Sequence, residues 1–230
     1  MNPQQQQIDA ALAEAAAGQL TTAYRMFSEL AATDHTNAEL HSNLGGLALL
    51  LENLNAAEAH YRTAIELDSD LAEAQLGLAR VRIKTQDWQR GLEELNHSEH
   101  TDHPEWFYLH GLCHAGRGDR DAARTDYQQA AAQHYRPAQK ALLPMMLECG
   151  DVLAAVELGF AMTGSAKARW LHAVSCWTAA QQDIAILDRI AALFLADHQF
   201  AYAARTRALA LRQHAALETG DWPALRESEW

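Results

Sequence analysis

Proline is scarce in this sequence, with 5 among 230 residues, and only 12 residues are glycine. Both residue types interrupt helices, so their rarity in a chain rich in Ala, Leu, Gln and Glu favours helix almost throughout. Strands have little support in the composition. The sequence therefore predicts an all-α fold.

Basic residues are also few: 18 Lys and Arg stand against 30 Asp and Glu, a formal net charge of −12. No Lys/Arg cluster offsets this balance, which would repel a phosphate backbone and an anionic membrane surface. We therefore expect no nucleic-acid partner.

Long apolar runs are missing as well. The start of the chain has no basic segment followed by an apolar run, as a signal peptide would, and no stretch is apolar enough to span a bilayer. These absences predict a soluble, cytoplasmic protein without membrane insertion.

The three cysteines, Cys113, Cys149 and Cys176, form no Cys-x-x-Cys pair, so we expect buried, reduced thiols. No nucleophile with a base, paired-carboxylate motif or phosphate-binding loop is evident. The sequence predicts no enzyme activity, no cofactor and no metal site.

What the sequence does contain is a repeat. In each unit, a small residue is followed four positions later by a bulky one: Ala23/Phe27, Ala57/Tyr61, Gly91/Leu95 and Ala123/Tyr127. The small residues of successive pairs are 34, 34 and 32 positions apart. Turn signals recur in the same phase, at Gly18-Gln19, Glu52-Asn53, Gln86-Asp87, Gly118-Asp119, Gly150-Asp151 and Gly220-Asp221. We place the shortening to 32 residues in the polar segment 97–103, where it shortens a helix or remodels a loop.

These residues resemble the tetratricopeptide repeat, whose pattern places Leu-Gly in helix A, here Leu44-Gly45, and Ala then an aromatic in helix B, here Ala57 and Tyr61. The resemblance implies a right-handed superhelical solenoid of antiparallel helical hairpins. We expect a single array over residues 1–230, with clear repeats at 4–135 and divergent hairpins with a C-terminal cap at 136–230.

The resemblance also implies a function, a non-enzymatic scaffold that holds a protein or peptide in a concave groove lined by the A helices. By phase, the groove residues are Ile8, Leu12, Glu39, Ser42, Asn43, Leu49, Glu73, Leu76, Arg80, Ile83, Glu105, Tyr108 and Leu112. An apolar groove bordered by acids suits an amphipathic helix or an extended segment with basic flanks. The alternative is that the aliphatic members only pack against neighbouring helices.

Histidines offer another alternative. His97, His100 and His103, with Glu99 and Asp102, could gather a metal ion, but a solvated loop is the favoured interpretation. His110 and His114 lie one helical turn apart, and we expect them to be core histidines rather than ligands.

Two further hypotheses concern the second half of the chain. Gly220-Asp221-Trp222-Pro223 opens a helix for which only residues 224–230 remain in this sequence. Either this short helix is an abbreviated cap, or the chain is the N-terminal array of a longer enzyme, such as a glycosyltransferase, sulfotransferase or hydroxylase. In that case the array recruits substrate or dimerises. Homo-oligomerisation through the C-terminal half is suggested by Trp170, Trp177, Trp222 and Trp230.

Overall fold

The computed structural model describes residues 3–97, 102–162, 164–179 and 183–219. Within these ranges the chain forms thirteen α-helices and no strands, which confirms the predicted all-α fold. By its internal contacts the chain divides into two compact units, Met1–Tyr135 and Arg136–Trp230. The boundary falls where the clear repeat pattern ends.

The first unit consists of four consecutive helical hairpins. Its helices are α1 (Pro3–Ala16), α2 (Leu20–Thr33), α3 (Ala38–Leu50), α4 (Leu54–Leu67), α5 (Ala72–Lys84), α6 (Trp88–Asn96), α7 (Pro104–Arg117) and α8 (Arg120–Ala132). The odd-numbered helices are the A helices of the repeats and the even-numbered ones are the B helices. Helix α3 contacts α5, and α5 contacts α7, so successive A helices lie side by side.

The four turns within the hairpins share the predicted left-handed residue, and two of them also have the predicted side-chain N-cap. Gly18 and Gly118 have left-handed backbones, with φ of 79° and 87°, and Glu52 and Gln86 occupy the same region at the other two turns. Asn53 then accepts a hydrogen bond from the backbone of Ala56 at the start of α4. Asp87 caps α6 in the same way, whereas Gln19 and Asp119 make no side-chain hydrogen bond to the starts of α2 and α8.

The small and bulky pairs form the crossing points of the first unit. All eight residues are buried, and the ring of Tyr61 lies between Gly45 of α3 and Gly77 of α5. A Cβ atom at Gly77 would lie 2.2 Å from that ring, so the close approach of α4 to α5 requires glycine there. This packing explains the Leu-Gly element of the repeat.

Helix α6 is shorter than the other B helices of this unit, with 9 residues against 13 or 14. It ends at Asn96, one residue before the polar segment 97–103. The predicted shortening of a helix at this point is confirmed. Residues 98–101 of the segment lie outside the described residues.

The second unit contains α9 (Arg136–Glu148), α10 (Val152–Met162), α11 (Ala166–Ala179), α12 (Ile184–Ala196) and α13 (Phe200–Thr219). Helix α9 packs on α10, α10 on α11, and α12 on α13. Their core centres on Trp177, Leu187, Ile190 and Phe194, which are all fully buried. None of the described helices is long and apolar enough to cross a bilayer.

Candidate interaction surface

The predicted groove residues fall into three groups by exposure. Three are exposed: Leu12, Glu39 and Glu73. Eight are half-buried: Ile8, Asn43, Leu49, Arg80, Ile83, Glu105, Tyr108 and Leu112. The remaining two, Ser42 and Leu76, are buried.

The predicted exposure of Ser42 and Leu76 is wrong. Leu76 is 2% exposed and packs in a core cluster with Leu95 and Trp106, while Ser42 is 6% exposed. Neighbouring helices cover much of both A helices, with six of 13 residues buried in α3 and seven of 13 in α5. Helical phase predicts which way a side chain points, but not how far the flanking helices cover it.

The half-buried aliphatic residues lie at the edges of the core clusters. Ile8 packs against the cluster around Phe27, Leu49 against that around Tyr61, and Ile83 and Leu112 against that around Trp106. The alternative that these residues pack between helices is therefore correct for part of each side chain. The part that remains exposed contributes apolar area to the surface.

Arg80 links two adjacent A helices. Its Nε donates to Oε1 of Glu105 on α7 at 2.8 Å, and its Nη2 lies 2.8 Å from Oε2 of the same carboxylate. Its Nη1 donates to Oε1 of Glu73, two turns earlier on α5, at 2.9 Å. The Arg80 guanidinium therefore holds the Glu105 carboxylate by two contacts and the Glu73 carboxylate by one.

Two tyrosines adjoin this ion network. The ring centroid of Tyr108 lies 5.5 Å from that of Tyr135 and 5.9 Å from that of Tyr127. Burial, reinforced by the charge of Glu105, raises the pKa of both Tyr108 and Tyr135, so their hydroxyl groups stay protonated and available as donors. We call Glu73, Arg80, Glu105, Tyr108 and Tyr135 together the Arg80 patch.

The electrostatics of the Arg80 patch are acidic overall. Burial opposes the charge on Arg80, but the hydrogen bonds and charges of Glu105 and Glu73 outweigh it and raise its pKa. The guanidinium is therefore always charged and is shared between two carboxylates. One negative charge is left over, and Glu73, with a side chain 62% exposed, presents it to the surface.

Tyr135 was not among the predicted site residues. It lies in the turn after α8 and follows His134, whose φ is 60°. A positive φ at His134 repeats the geometry of Glu52 and Gln86, so the chain turns in the same way without a Gly, Asn or Asp to signal it. The equivalent positions of the earlier repeats are His35, Ser69 and His103, so the repeat phase did not signal an aromatic side chain here.

The expectation of buried thiols holds for Cys113 and Cys176, whereas Cys149 is exposed. Burial raises the pKa of the Cys113 thiol to about 12 and also raises that of Cys176. Neither buried thiol is a ready thiolate at neutral pH.

Two of the four tryptophans on which the self-association hypothesis rested, Trp170 and Trp177, do not lie at the surface. Trp170 and Trp177 are 4% and 0% exposed and belong to the core of the second unit. Trp222 and Trp230 lie outside the described residues. Homo-oligomerisation through this half stays a prediction, without Trp170 and Trp177 as its contacts.

Comparison with known proteins identifies the fold. No protein-family model matches the chain, and no curated protein matches its sequence. Solved structures do match. A thermophilic TPR protein from Thermus thermophilus has a TM-score of 0.59 at 17% identity, covering 84% of this chain and 99% of that chain.

Two other structures are similar over most of both chains. A tetratricopeptide repeat protein from Parabacteroides merdae has a TM-score of 0.60 at 13% identity, with 91% of this chain and 86% of that chain covered. PilW, a type IV pilus biogenesis factor, has a TM-score of 0.60 at 12% identity, with 91% and 93% covered. At these identities the likeness concerns the fold alone, and it confirms what the sequence resemblance implied: this chain has the tetratricopeptide-repeat fold.

Proposed function

We propose that this chain is a non-enzymatic scaffold that holds a protein or peptide on the A-helix face of residues 1–135, with the Arg80 patch at the centre of the contact. The patch is the observation that carries the proposal. It combines half-buried aromatic rings with fixed carboxylates on two packed helices, a combination of anchor and orienting groups that suits recognition.

Rigidity supports this choice of site. Glu105 is held by a hydrogen bond and a second ion-pair contact from Arg80, and Tyr108 lies against two other tyrosine rings. A partner that binds such groups does not have to order them, so less of the interaction free energy is lost to conformational entropy.

The charge of the surface indicates the chemistry of the partner. Glu39 and Glu73 are exposed on α3 and α5, and Arg80 is neutralised within its own network. The net charge of −12 adds long-range attraction for cations. We therefore expect a segment with Lys or Arg flanking one or two apolar side chains, the latter packing on Tyr108 and the exposed edges of Leu49 and Ile83.

The experiment is a selection from a random peptide library on the immobilised chain, followed by affinity measurements. In the test variant, Glu39→Gln and Glu73→Gln remove two exposed charges from the A helices. In the matched control, Glu29→Gln and Glu66→Gln remove two exposed charges from α2 and α4. Both variants change the net charge equally, so a difference in peptide affinity between them shows that the peptide contacts the A helices and not the B helices.

We expect enriched peptides to be basic with apolar anchors, and to bind the test variant about tenfold more weakly than the control, since each lost charge contact contributes roughly 0.5–1 kcal/mol. Equal affinity for both variants would refute the assignment of the face. The cytoplasmic location stays a prediction.

A further inference from the structure

Three potential metal ligands meet between α7 and α8. His110 and His114 are four residues apart on α7 and therefore share one face of that helix, and Asp126 lies opposite on α8. One ligand atom from each residue lies within 4.8 Å of the other two. The sequence could not show this arrangement, because Asp126 is contributed by the second helix of the hairpin.

We infer that His110, His114 and Asp126 bind one divalent transition-metal ion, with Zn²⁺ as the expected species. Two imidazole nitrogens and a carboxylate oxygen are a ligand set that Zn²⁺ prefers, with the fourth tetrahedral position left to water. The inference does not depend on peptide binding at the Arg80 patch. It replaces the expectation that these are core histidines without a metal.

The distances require only small rotations of the side chains. His110 Nδ1 lies 2.9 Å from Asp126 Oδ2, and His114 Nε2 lies 4.0 Å from the same oxygen. Ligand atoms around tetrahedral Zn²⁺ are about 3.3 Å apart, given metal–ligand bonds of about 2.0–2.1 Å. The observed distances bracket this value.

The surroundings hold both rings in place. The ring of His110 stacks on Trp106 with centroids 4.5 Å apart, and the ring of His114 meets that of His110 edge-on at 4.7 Å. The three side chains are only 15–20% exposed, so few waters compete for their ligand atoms. Such partly buried, oriented ligands lose little freedom when a metal binds.

A carboxylate also lies near the other ring nitrogen of His114, where a zinc site commonly has an outer partner. His114 Nδ1 is buried and makes no hydrogen bond, although Asp119 Oδ2 lies 3.7 Å away. If Nε2 bound a metal, Nδ1 would carry the proton and could donate to Asp119, which is the carboxylate–histidine–metal arrangement common at zinc sites. Arg117, 3.6 Å from Asp119, would balance the charge of this outer carboxylate.

The competing interpretation is that the His110–Asp126 hydrogen bond merely fastens α7 to α8. That contact uses only His110 Nδ1 and Asp126 Oδ2 and gives His114 no part in the cluster. The two interpretations differ in a measurable way, because only the first predicts stoichiometric binding of a metal.

The test is titration of the metal-free full chain with Co²⁺, whose visible absorption reports coordination geometry, and then with Zn²⁺ in competition. Cys149→Ser serves as the background, because its exposed thiol could bind either ion. The ligand variants are His114→Gln and Asp126→Asn, which change little volume, and Asp119→Asn probes the outer carboxylate. His97→Gln with His103→Gln is the control, since these exposed histidines are the ends of the polar segment 97–103 and lie outside the proposed site.

We expect one equivalent of Co²⁺ to bind with a tetrahedral spectrum and to be displaced by Zn²⁺. Binding should be lost in His114→Gln and Asp126→Asn, weakened about tenfold in Asp119→Asn and retained in the control. Helix content from circular dichroism confirms that each variant is folded, and two independent ligand variants keep the test decisive if one is not. Failure to bind, binding that both ligand variants retain, or binding lost only in the control would overturn the inference.

Discussion

Arg80 and Glu105 are joined across α5 and α7 by two contacts of 2.8 Å each, Nε to Oε1 and Nη2 to Oε2. Their side chains are 26% and 18% exposed. A bidentate pair of this kind is more directional than a surface ion pair, and it fixes the spacing of two adjacent A helices. Arg80 also contacts Glu73, the more exposed carboxylate that the proposed partner would meet.

A double-mutant cycle measures the strength of this pair. Replacing Arg80 by Met, Glu105 by Met, and both together should give a coupling free energy of about 1–3 kcal/mol, since hydrogen bonds to charged groups contribute about 1.5–3 kcal/mol and partial exposure weakens them. Urea unfolding at pH 7 is the measurement. Additive effects of the single changes would show that the contact stabilises neither helix.

Gly77→Ala should destabilise the first unit by about 1–3 kcal/mol, the usual cost of overpacking a close contact. The added Cβ would lie 2.2 Å from a ring carbon of Tyr61, which is fully buried and cannot move away. Thermal or urea unfolding measures the change.

Gly46→Ala is the matched control on α3. Its Cβ would meet only the Tyr61 hydroxyl at 3.6 Å, an ordinary contact, and alanine improves helix propensity by about 0.5–1 kcal/mol. We expect this variant to be neutral or slightly stabilised. Equal effects of the two substitutions would contradict the packing described for Tyr61.

Arg82→Met should cost more stability at pH 7 than at pH 3. Arg82, with a side chain 6% exposed, donates to both carboxylate oxygens of Glu58 at 3.0 and 2.6 Å. Its hydrogen bonds lower the pKa of Glu58 below the ordinary 4.5, although burial opposes the shift. This stabilisation is complete above pH 4.5 and is lost as the pH falls through the lower pKa of the folded state.

Urea unfolding of the parent and of Arg82→Met at both pH values tests this. At pH 7 we expect the variant's free energy of unfolding to be about 1–3 kcal/mol lower than the parent's. Arg62→Met is the control, because Arg62 also contacts Glu58, at 3.0 Å, but its side chain is 55% exposed. We expect it to change stability by less than about 0.5 kcal/mol. A pH-independent cost for Arg82→Met would show that the residue stabilises by packing alone.

Tyr61 provides a prediction at alkaline pH. Burial raises its pKa from 10.0 to about 12, so the unfolded chain loses this proton before the folded chain does. Its contribution to stability is present below pH 10 and is lost as the pH rises towards 12. Compared with Tyr61→Phe, the parent should lose stability more steeply between about pH 9 and 11.5 in urea unfolding, and parallel curves would contradict the assignment.

Much of the first unit could be predicted from local signals. The small and bulky pairs in 34-residue phase are all buried, and Asn53 and Asp87 cap their helices through side-chain hydrogen bonds. These features depend on residues close together in the sequence, where helical geometry alone determines the outcome. The repeat phase therefore predicted the hairpins and their turns.

What the sequence did not reveal depends on contacts between helices. The burial of Leu76 is set by how closely α6 and α7 pack on α5, and the approach of Asp126 to His110 is set by the crossing of α7 and α8. In the second unit, Trp170 donates its indole proton to Thr206, 36 residues away. Interactions over such separations leave no periodic pattern in one sequence.

The most direct test of the proposed function is fluorine NMR of the chain labelled with 3-fluorotyrosine, titrated with a peptide from the library selection. The chain has six tyrosines, and single Tyr→Phe variants assign their signals. Tyr108 and Tyr135 belong to the Arg80 patch, whereas Tyr202 lies in the second unit. We predict that the signals of Tyr108 and Tyr135 shift in a saturable way while that of Tyr202 does not. A shift confined to Tyr202, or saturable binding that moves neither Tyr108 nor Tyr135, would contradict the account.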